Sequence, residues 1–317
     1  MFGLKADWSL EVTPRYFTLD TYTGADARWC PGCGDHAVLT AVQRICRDEQ
    51  LPPERTVTVS GIGCASRFPH YMATYGFHGL HGRALPLACG IKARRPDLHV
   101  WVATGDGDCF SIGAGHWIHA VRYNMDMTVM VFDNNIYGLT KKQTSPTSPV
   151  GLKTNTHPHG NPLPPQNPLS VTLAISNVSF VAQTIDWYPL HLHATLHAAF
   201  KHRGLSFVRI LQRCPAMNDH AFDELQRDPA KLSLLTHARG IGIEANAAER
   251  FPNQQTHDPS DLMAARTVAE AQAGIPIGLL FRDESRPCYD RLTSAGLGKS
   301  NEDKLRALEQ TLDRFAV

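Results

Sequence analysis

The chain has 317 residues, 43% of them apolar and 19% charged, with a formal net charge of +1. That is room for one large α/β unit or two small ones, and it leaves no broad field to attract nucleic acid or an acidic membrane. The opening MFGLKADWSL lacks a basic region followed by an apolar run, and no apolar run reaches about 18 residues, so no signal peptide, no membrane span and a cytoplasmic protein are expected.

Residues 1–28 read as an irregular N-terminal arm. The stretch RWCPGCGDH follows, a C-x-x-C on a Pro-Gly turn ahead of a helix over 35–50. Apolar residues recur there at helical spacing, and Pro52-Pro53 stops the run. Apolar, β-rich runs come at 56–63, 98–108, 126–135, 177–184 and 204–214, with helical stretches at 84–95, 111–124 and 189–203. Continuous apolar strands alternating with helices predict an α/β fold with a doubly wound, mostly parallel sheet covered on both faces. The segment 144–168, TSPTSPVGLKTNTHPHGNPLPPQNP, is too rich in proline for a long helix or a central strand. A long loop of this kind within an α/β unit is expected to be a lid or a partner-binding segment, with a merely solvated connection as the alternative. After 214 the alternation blurs. Residues 215–317 read as a C-terminal extension carrying THDPSD (256–261) and IPIGLLFRDESRP (275–287).

The clearest chemistry lies in 104–140. A strand ends in Gly105-Asp106-Gly107-Asp108 and runs into a helix. Ligands of open parallel sheets bind at the carboxyl ends of strands, and glycines with a helix N-terminus favour a phosphate. Two carboxylates would repel a bare diphosphate. A Mg²⁺ ion resolves the conflict, because a carboxylate and a diphosphate oxygen can ligate the same hard cation. The next strand ends in FDNNIYGLT, where the Asn134 amide oxygen and the Ile136 carbonyl could complete the protein side of that site. This resembles the G-D-G…N-N arrangement of thiamine diphosphate enzymes, although Gly-Asp and Asn-Asn also occur in ordinary turns.

Eight cysteines in a cytoplasmic chain point to ligands, catalysis or core rather than disulfides. Cys30 and Cys33 could be a redox dithiol, half of a zinc site or half of an iron–sulfur site. Cys64, after the first strand, and Cys214, before Pro215, stand where further ligands would be needed. Four thiolates from three loops could hold a [4Fe–4S] cluster or zinc. Cys46, Cys89, Cys109 and Cys288 read as packing residues. His191, His193 and His197 do not share one helix face and read as surface or packing residues.

With these residues in place, the chain resembles the β subunit of 2-oxoacid:ferredoxin oxidoreductases, and within that family the 2-oxoglutarate type. The match rests on WCPGCG, SGIGCASRFPHY, LHGRALPLACGIK, ATGDGDCFSIG, FDNNIYGLTKKQTSPTS, Cys214 and THDPSD…PIGLLFRD, over roughly residues 20–290. The segment CPAMND departs from the family's usual C-V-T-F-N, and the C-terminus runs long. The resemblance implies a thiamine diphosphate and cluster-binding domain over 29–214 and an extension over 215–317 that packs on it and on a partner subunit. It implies a [4Fe–4S] cluster on Cys30, Cys33, Cys64 and Cys214, and Mg²⁺ on Asp106, Asn134 and the Ile136 carbonyl. The cofactor-binding set it implies also takes in Gly105, Gly107, Asp108, Gly138, Leu139, Cys64 and Ala65. An α subunit would supply the missing face of the active site in an αβ or (αβ)₂ assembly, with a 2-oxoacid and coenzyme A as substrates and ferredoxin as electron acceptor. Arg67, three residues after Cys64, is the candidate for the distal carboxylate of a dicarboxylic substrate, since arginine binds carboxylates bidentately. His81 is a second candidate for the same pocket, with His70 and Arg83 behind it. Rival readings are the same chemistry on pyruvate or another 2-oxoacid, a zinc-stabilised thiamine diphosphate lyase, and a zinc-binding module without chemistry. The last accounts for the cysteines but not for Asp106 and Asn134.

Overall fold

The structure, a computed structural model, describes residues 16–243, 248–271, 274–294 and 300–315. Residues 1–15 of the expected arm lie outside the described residues. Eleven strands are present among those described: β1 (Thr56–Ser60), β2 (Tyr75–His78), β3 (His99–Gly105), β4 (Met127–Asp133), β5 (Ile136–Tyr137), β6 (Gln143–Thr144), β7 (Phe180–Ile185), β8 (Leu205–Leu211), β9 (Leu232–Thr236), β10 (Gln254–Thr256) and β11 (Ile275–Arg282). Nine form one sheet in the order β10-β9-β11-β7-β8-β4-β3-β1-β2. The six strands from β7 to β2 are parallel. Strands β9, β10 and β11 are parallel to one another, and β11 meets β7 antiparallel.

Period-two alternation loads both faces of this sheet. In β4, Val129 and Val131 join one core, while Met130 and Phe132 join the other. In β3, Val100 and Val102 face the first core and Trp101 and Ala103 the second. Helices α1 (Asp35–Asp48) and α5 (Pro189–Lys201) cover the second face. The first is covered by α2 (Ala84–Arg94), α3 (Ala114–Tyr123), α4 (Pro168–Ala174) and a helix over Leu262–Glu270. Burial on both sides is why β4 reads as an unbroken apolar run, with all seven residues buried.

Five elements go beyond the sequence reading. Strand β2 is an edge strand with all four residues exposed, and its one alternation is Tyr75 and Phe77. Helix α4 starts inside the proline-rich segment: the Asn167 Oδ1 accepts from the N–H groups of Leu169 (3.1 Å) and Ser170 (3.2 Å), with Pro168 at the first turn. Residues after 214 contribute β9, β10 and β11 to the same sheet, with their own core of Leu232, Leu234, Phe251 and Ile277 against Ile185 and Leu211. Among the described residues no helix is long and apolar enough to cross a membrane.

Candidate active site

The carboxyl ends of β1, β3 and β4 lie side by side and, with the loop after β2, line a cavity of about 170 Å³. Its lining includes Cys64, Ala65, His81, Gly105, Asp106, Gly107, Asp108, Asn134, Ile136, Gly138 and Leu139. Every cofactor-binding residue expected from the sequence therefore faces one space.

The two aspartates of the Gly-Asp-Gly-Asp turn have different situations. Asp108 spends its carboxylate on the protein. Oδ1 accepts from the N–H groups of Ile62 (3.1 Å) and Gly82 (2.6 Å) and from His81 Nδ1 (2.6 Å), and Oδ2 accepts from Thr104 Oγ1 (2.6 Å). It ties the loops after β1 and β2 to the end of β3. A carboxylate only accepts, so His81 donates from Nδ1 and keeps Nε2 free. A side chain at Gly61 would collide with Asp108 Oδ2 at 2.0 Å, which accounts for the glycine in SGIG.

Asp106 is held on one side only. Its Oδ2 accepts from Ser145 Oγ (2.5 Å) and Thr147 Oγ1 (2.8 Å). Thr147 Oγ1 also lies 2.7 Å from Asp133 Oδ1, and its single proton can serve only one carboxylate at a time. Asp133 is fully buried and paired with Arg209 at 2.7 Å. Burial, then the Asp133 charge, pushes the Asp106 carboxyl up to about 7. A cavity-side carboxylate short of positive charge, beside an amide oxygen and a main-chain carbonyl, suits a hard divalent cation. The Asn134-Asn135 pair divides the remaining work. Asn135 takes a φ of +60°, which asparagine tolerates, and binds Asp133 Oδ1 and the Thr147 carbonyl (3.0 Å) through Nδ2. That leaves Asn134 to face the cavity.

The four expected cluster cysteines come from three loops that hydrogen bonds draw together. Cys33 N–H donates to the Cys30 carbonyl (3.1 Å), and Gly32 adopts a φ of +78°, which a turn of this kind requires of its third residue. Gly34 N–H donates to the Arg213 carbonyl (3.1 Å), joining this turn to the Cys214 loop. Trp29 Nε1 donates to the Cys64 carbonyl (2.7 Å), joining it to the third. A Cβ on Gly138 would stand 3.6 Å from Cys214 Sγ and 3.8 Å from Cys64 Sγ, so both sulfurs look across this glycine into the cavity region. Burial pushes the Cys33 thiol far up, with Asp35 and the Cys214 and Cys64 sulfurs adding to it. Burial, Asp35, Cys214 and Cys30 push Cys64 up to about 12. Crowded sulfurs of this kind become thiolates only beside metal charge. Among the described residues no three His, Cys, Asp or Glu side chains converge on a single ion.

Residues 61–210 match the family model described as thiamine pyrophosphate enzyme, C-terminal TPP binding domain. The 2-oxoglutarate oxidoreductase subunit KorB of Mycobacterium tuberculosis is 40% identical over 86% of this chain and 79% of its own. The chain belongs to the β subunits of the 2-oxoacid:ferredoxin oxidoreductase family. Subunit beta of the 2-oxoacid:ferredoxin oxidoreductase 2 of Aeropyrum pernix is 34% identical over 86% of this chain and 85% of its own. A solved 2-oxoglutarate:ferredoxin oxidoreductase from Magnetococcus marinus, with 2-oxoglutarate, coenzyme A and succinyl-CoA bound, superposes with a TM-score of 0.78 at 35% identity. That match covers 92% of this chain and 96% of the other.

Within this family fold, Arg67 stands apart from the cavity. Its guanidinium donates to the Arg28 carbonyl (3.3 Å) and lies over the Tyr71 ring, 5.8 Å from the centroid. Several residues at the site were given no role beforehand. Ser145 and Thr147, inside the FDNNIYGLTKKQTSPTS motif, reach Asp106 from the loop after β6. Tyr137 also lines the cavity and donates to the Gly107 carbonyl at 3.1 Å. Asn218, in the divergent CPAMND segment, donates from Nδ2 to the Asn134 carbonyl at 2.9 Å.

Proposed function

We propose that this chain is the β subunit of a 2-oxoglutarate:ferredoxin oxidoreductase, active only with an α subunit. The observation that carries the reading is a shared wall: Cys64 lines the same cavity as Asp106, Asn134 and Ile136. A thiamine site and a cluster site that touch in this way suit a decarboxylation whose electrons must leave one at a time. Asp106, Asn134 and the Ile136 carbonyl would hold Mg²⁺ against the diphosphate, and Cys30, Cys33, Cys64 and Cys214 would hold a [4Fe–4S] cluster. Bound thiamine diphosphate supplies the electron sink for loss of CO₂ from the 2-oxoacid, and the cluster supplies a one-electron path to ferredoxin. Coenzyme A takes the acyl group, and the reaction can run in reverse. His81 stands at the cavity with Nε2 free to meet substrate. Arg67 would bind the distal carboxylate only after a side-chain swing, and its place next to the Cys64 loop supports that role.

The test is electron transfer by the αβ complex, purified anaerobically and offered a panel of 2-oxoacids with and without coenzyme A. Ferredoxin or viologen reduction should be fastest with 2-oxoglutarate and should need coenzyme A. Preference for pyruvate would move the assignment to the rival substrate. A colourless, iron-free complex that still decarboxylates would replace it with a lyase.

A further inference from the structure

Gln212 follows β8 directly and is 2% exposed. Its backbone N–H donates to the Asp133 carbonyl at 2.9 Å, so its position is set by the neighbouring strand end. Its side chain is fully used. Nε2 donates to Cys33 Sγ at 3.3 Å and to the Arg213 carbonyl. Oε1 accepts from Asn134 Nδ2 at 2.9 Å.

The direction of this chain of bonds is forced. A cysteine thiolate and a peptide carbonyl are acceptors, so the Gln212 amide must turn its NH₂ toward them. Its oxygen then faces Asn134, which must answer with its own NH₂. Asn134 Oδ1 is left for the Ile136 N–H (3.2 Å) and for a cation in the cavity that Asn134 lines. An Asn134 side chain turned the other way would set two oxygens against each other at Gln212 and offer the cation an NH₂.

We propose that Gln212 is a positioning residue for both cofactors at once, a role that rests on the cysteine and Asn134 assignments above. It orients the Asn134 amide so that oxygen is available to the metal of the diphosphate. It also gives the Cys33 thiolate an N–H···S bond, which stabilises the more electron-rich, reduced cluster. One side chain thus couples the metal site to the electron acceptor beside it.

The test uses the anaerobic αβ enzyme with Gln212→Met and Gln212→Glu. It has two readouts: the cluster midpoint potential by redox titration followed by electron paramagnetic resonance, and the Mg²⁺-dependent Kd for thiamine diphosphate by calorimetry. Gln212→Met keeps the length and removes both donor and acceptor. It should lower the potential and weaken the cofactor by about tenfold, the effect of one net hydrogen bond. Gln212→Glu keeps an oxygen for Asn134 and loses the donor. It should lower the potential while holding cofactor affinity within about twofold of wild type, a change well under 1 kcal/mol. An unchanged potential in both variants at full cluster content, or wild-type cofactor affinity in Gln212→Met, would overturn the inference alone. A wild-type enzyme with no four-iron signal would overturn the cofactor reading beneath it as well.

Discussion

Gly105 and Gly107 flank Asp106 symmetrically in sequence, yet alanine at the two should have opposite consequences. Neither has a positive φ, so backbone strain does not separate them. A Cβ on Gly105 would meet nothing closer than the Phe132 carbonyl oxygen at 3.9 Å, an ordinary contact. A Cβ on Gly107 would fall 2.2 Å from Tyr137 Cε1 and 2.4 Å from Cζ. Restoring a normal separation needs the ring to move by roughly 1.3 Å, an overpacking that costs about 1–3 kcal/mol. The Tyr137 hydroxyl would also lose its bond to the Gly107 carbonyl, worth about 1 kcal/mol. Tyr137 lines the cavity and is half-buried, so the displaced ring has room only on the cofactor side. Gly107→Ala should therefore fold and bind its partner, but its affinity for thiamine diphosphate should fall by about 1–3 kcal/mol, the cost of returning the ring against the Cβ, or about fivefold to 150-fold. Gly105→Ala, whose Cβ meets no protein atom closer than 3.9 Å, should leave Tyr137 in place and melt as wild type does. Calorimetric titration of the αβ complex with the cofactor at saturating Mg²⁺ reads the affinity, and thermal melts check folding. Removing the ring in Gly107→Ala/Tyr137→Ala should recover part of the affinity. Full affinity in Gly107→Ala, or a lowered melting temperature in Gly105→Ala, would refute the steric argument.

Serine at Cys30, Cys33, Cys64 or Cys214 should lower iron and acid-labile sulfide, whereas serine at the core residues Cys46 and Cys288 should not; full iron in Cys214→Ser would remove that residue from the site. Arg67→Ala should reduce kcat/KM for 2-oxoglutarate by an amount worth about 2–4 kcal/mol and for pyruvate much less. Equal losses would mean that Arg67 serves the Arg28 turn. His191 is fully buried, 2.8 Å from Thr184 Oγ1 through Nδ1, and burial pulls its imidazole down from 6.5 to about 4. The folded value lies below the unfolded one, so its contribution is complete above pH 6.5 and is lost as pH falls through about 4. That is worth roughly 3 kcal/mol at most. Gln at position 191 should flatten the pH dependence of urea unfolding in that window, and an unchanged slope would show that other groups set it.

Most of what the sequence determined is local. Strands buried on both faces are apolar at every position, so β3, β4 and β8 could be read directly, and strand ends are where ligands bind in parallel sheets. Gly-Asp-Gly-Asp, Asn-Asn and the cysteines are distinctive because each position demands a particular residue: Gly61 and Gly107 because neighbours leave no room for a Cβ, Asn135 because its backbone is left-handed. Strand β2 escaped notice because a four-residue exposed edge offers no more than Tyr75 and Phe77. The strands after 214 were missed because they continue the sheet by long-range pairing, β11 on β7 and β9 and β10 beyond it, which no local periodicity reports. Only the tertiary structure decided that Asp108 is consumed by the protein while Asp106 is left for the cavity. It also decided that Ser145 and Thr147 hold Asp106 from a loop some 40 residues away, and that Gln212 joins Cys33 to Asn134. The physical reason is that a hydrogen bond is set by distance and direction in space. Two aspartates two residues apart are chemically identical in the sequence, and the donors that make them different come from other strand ends.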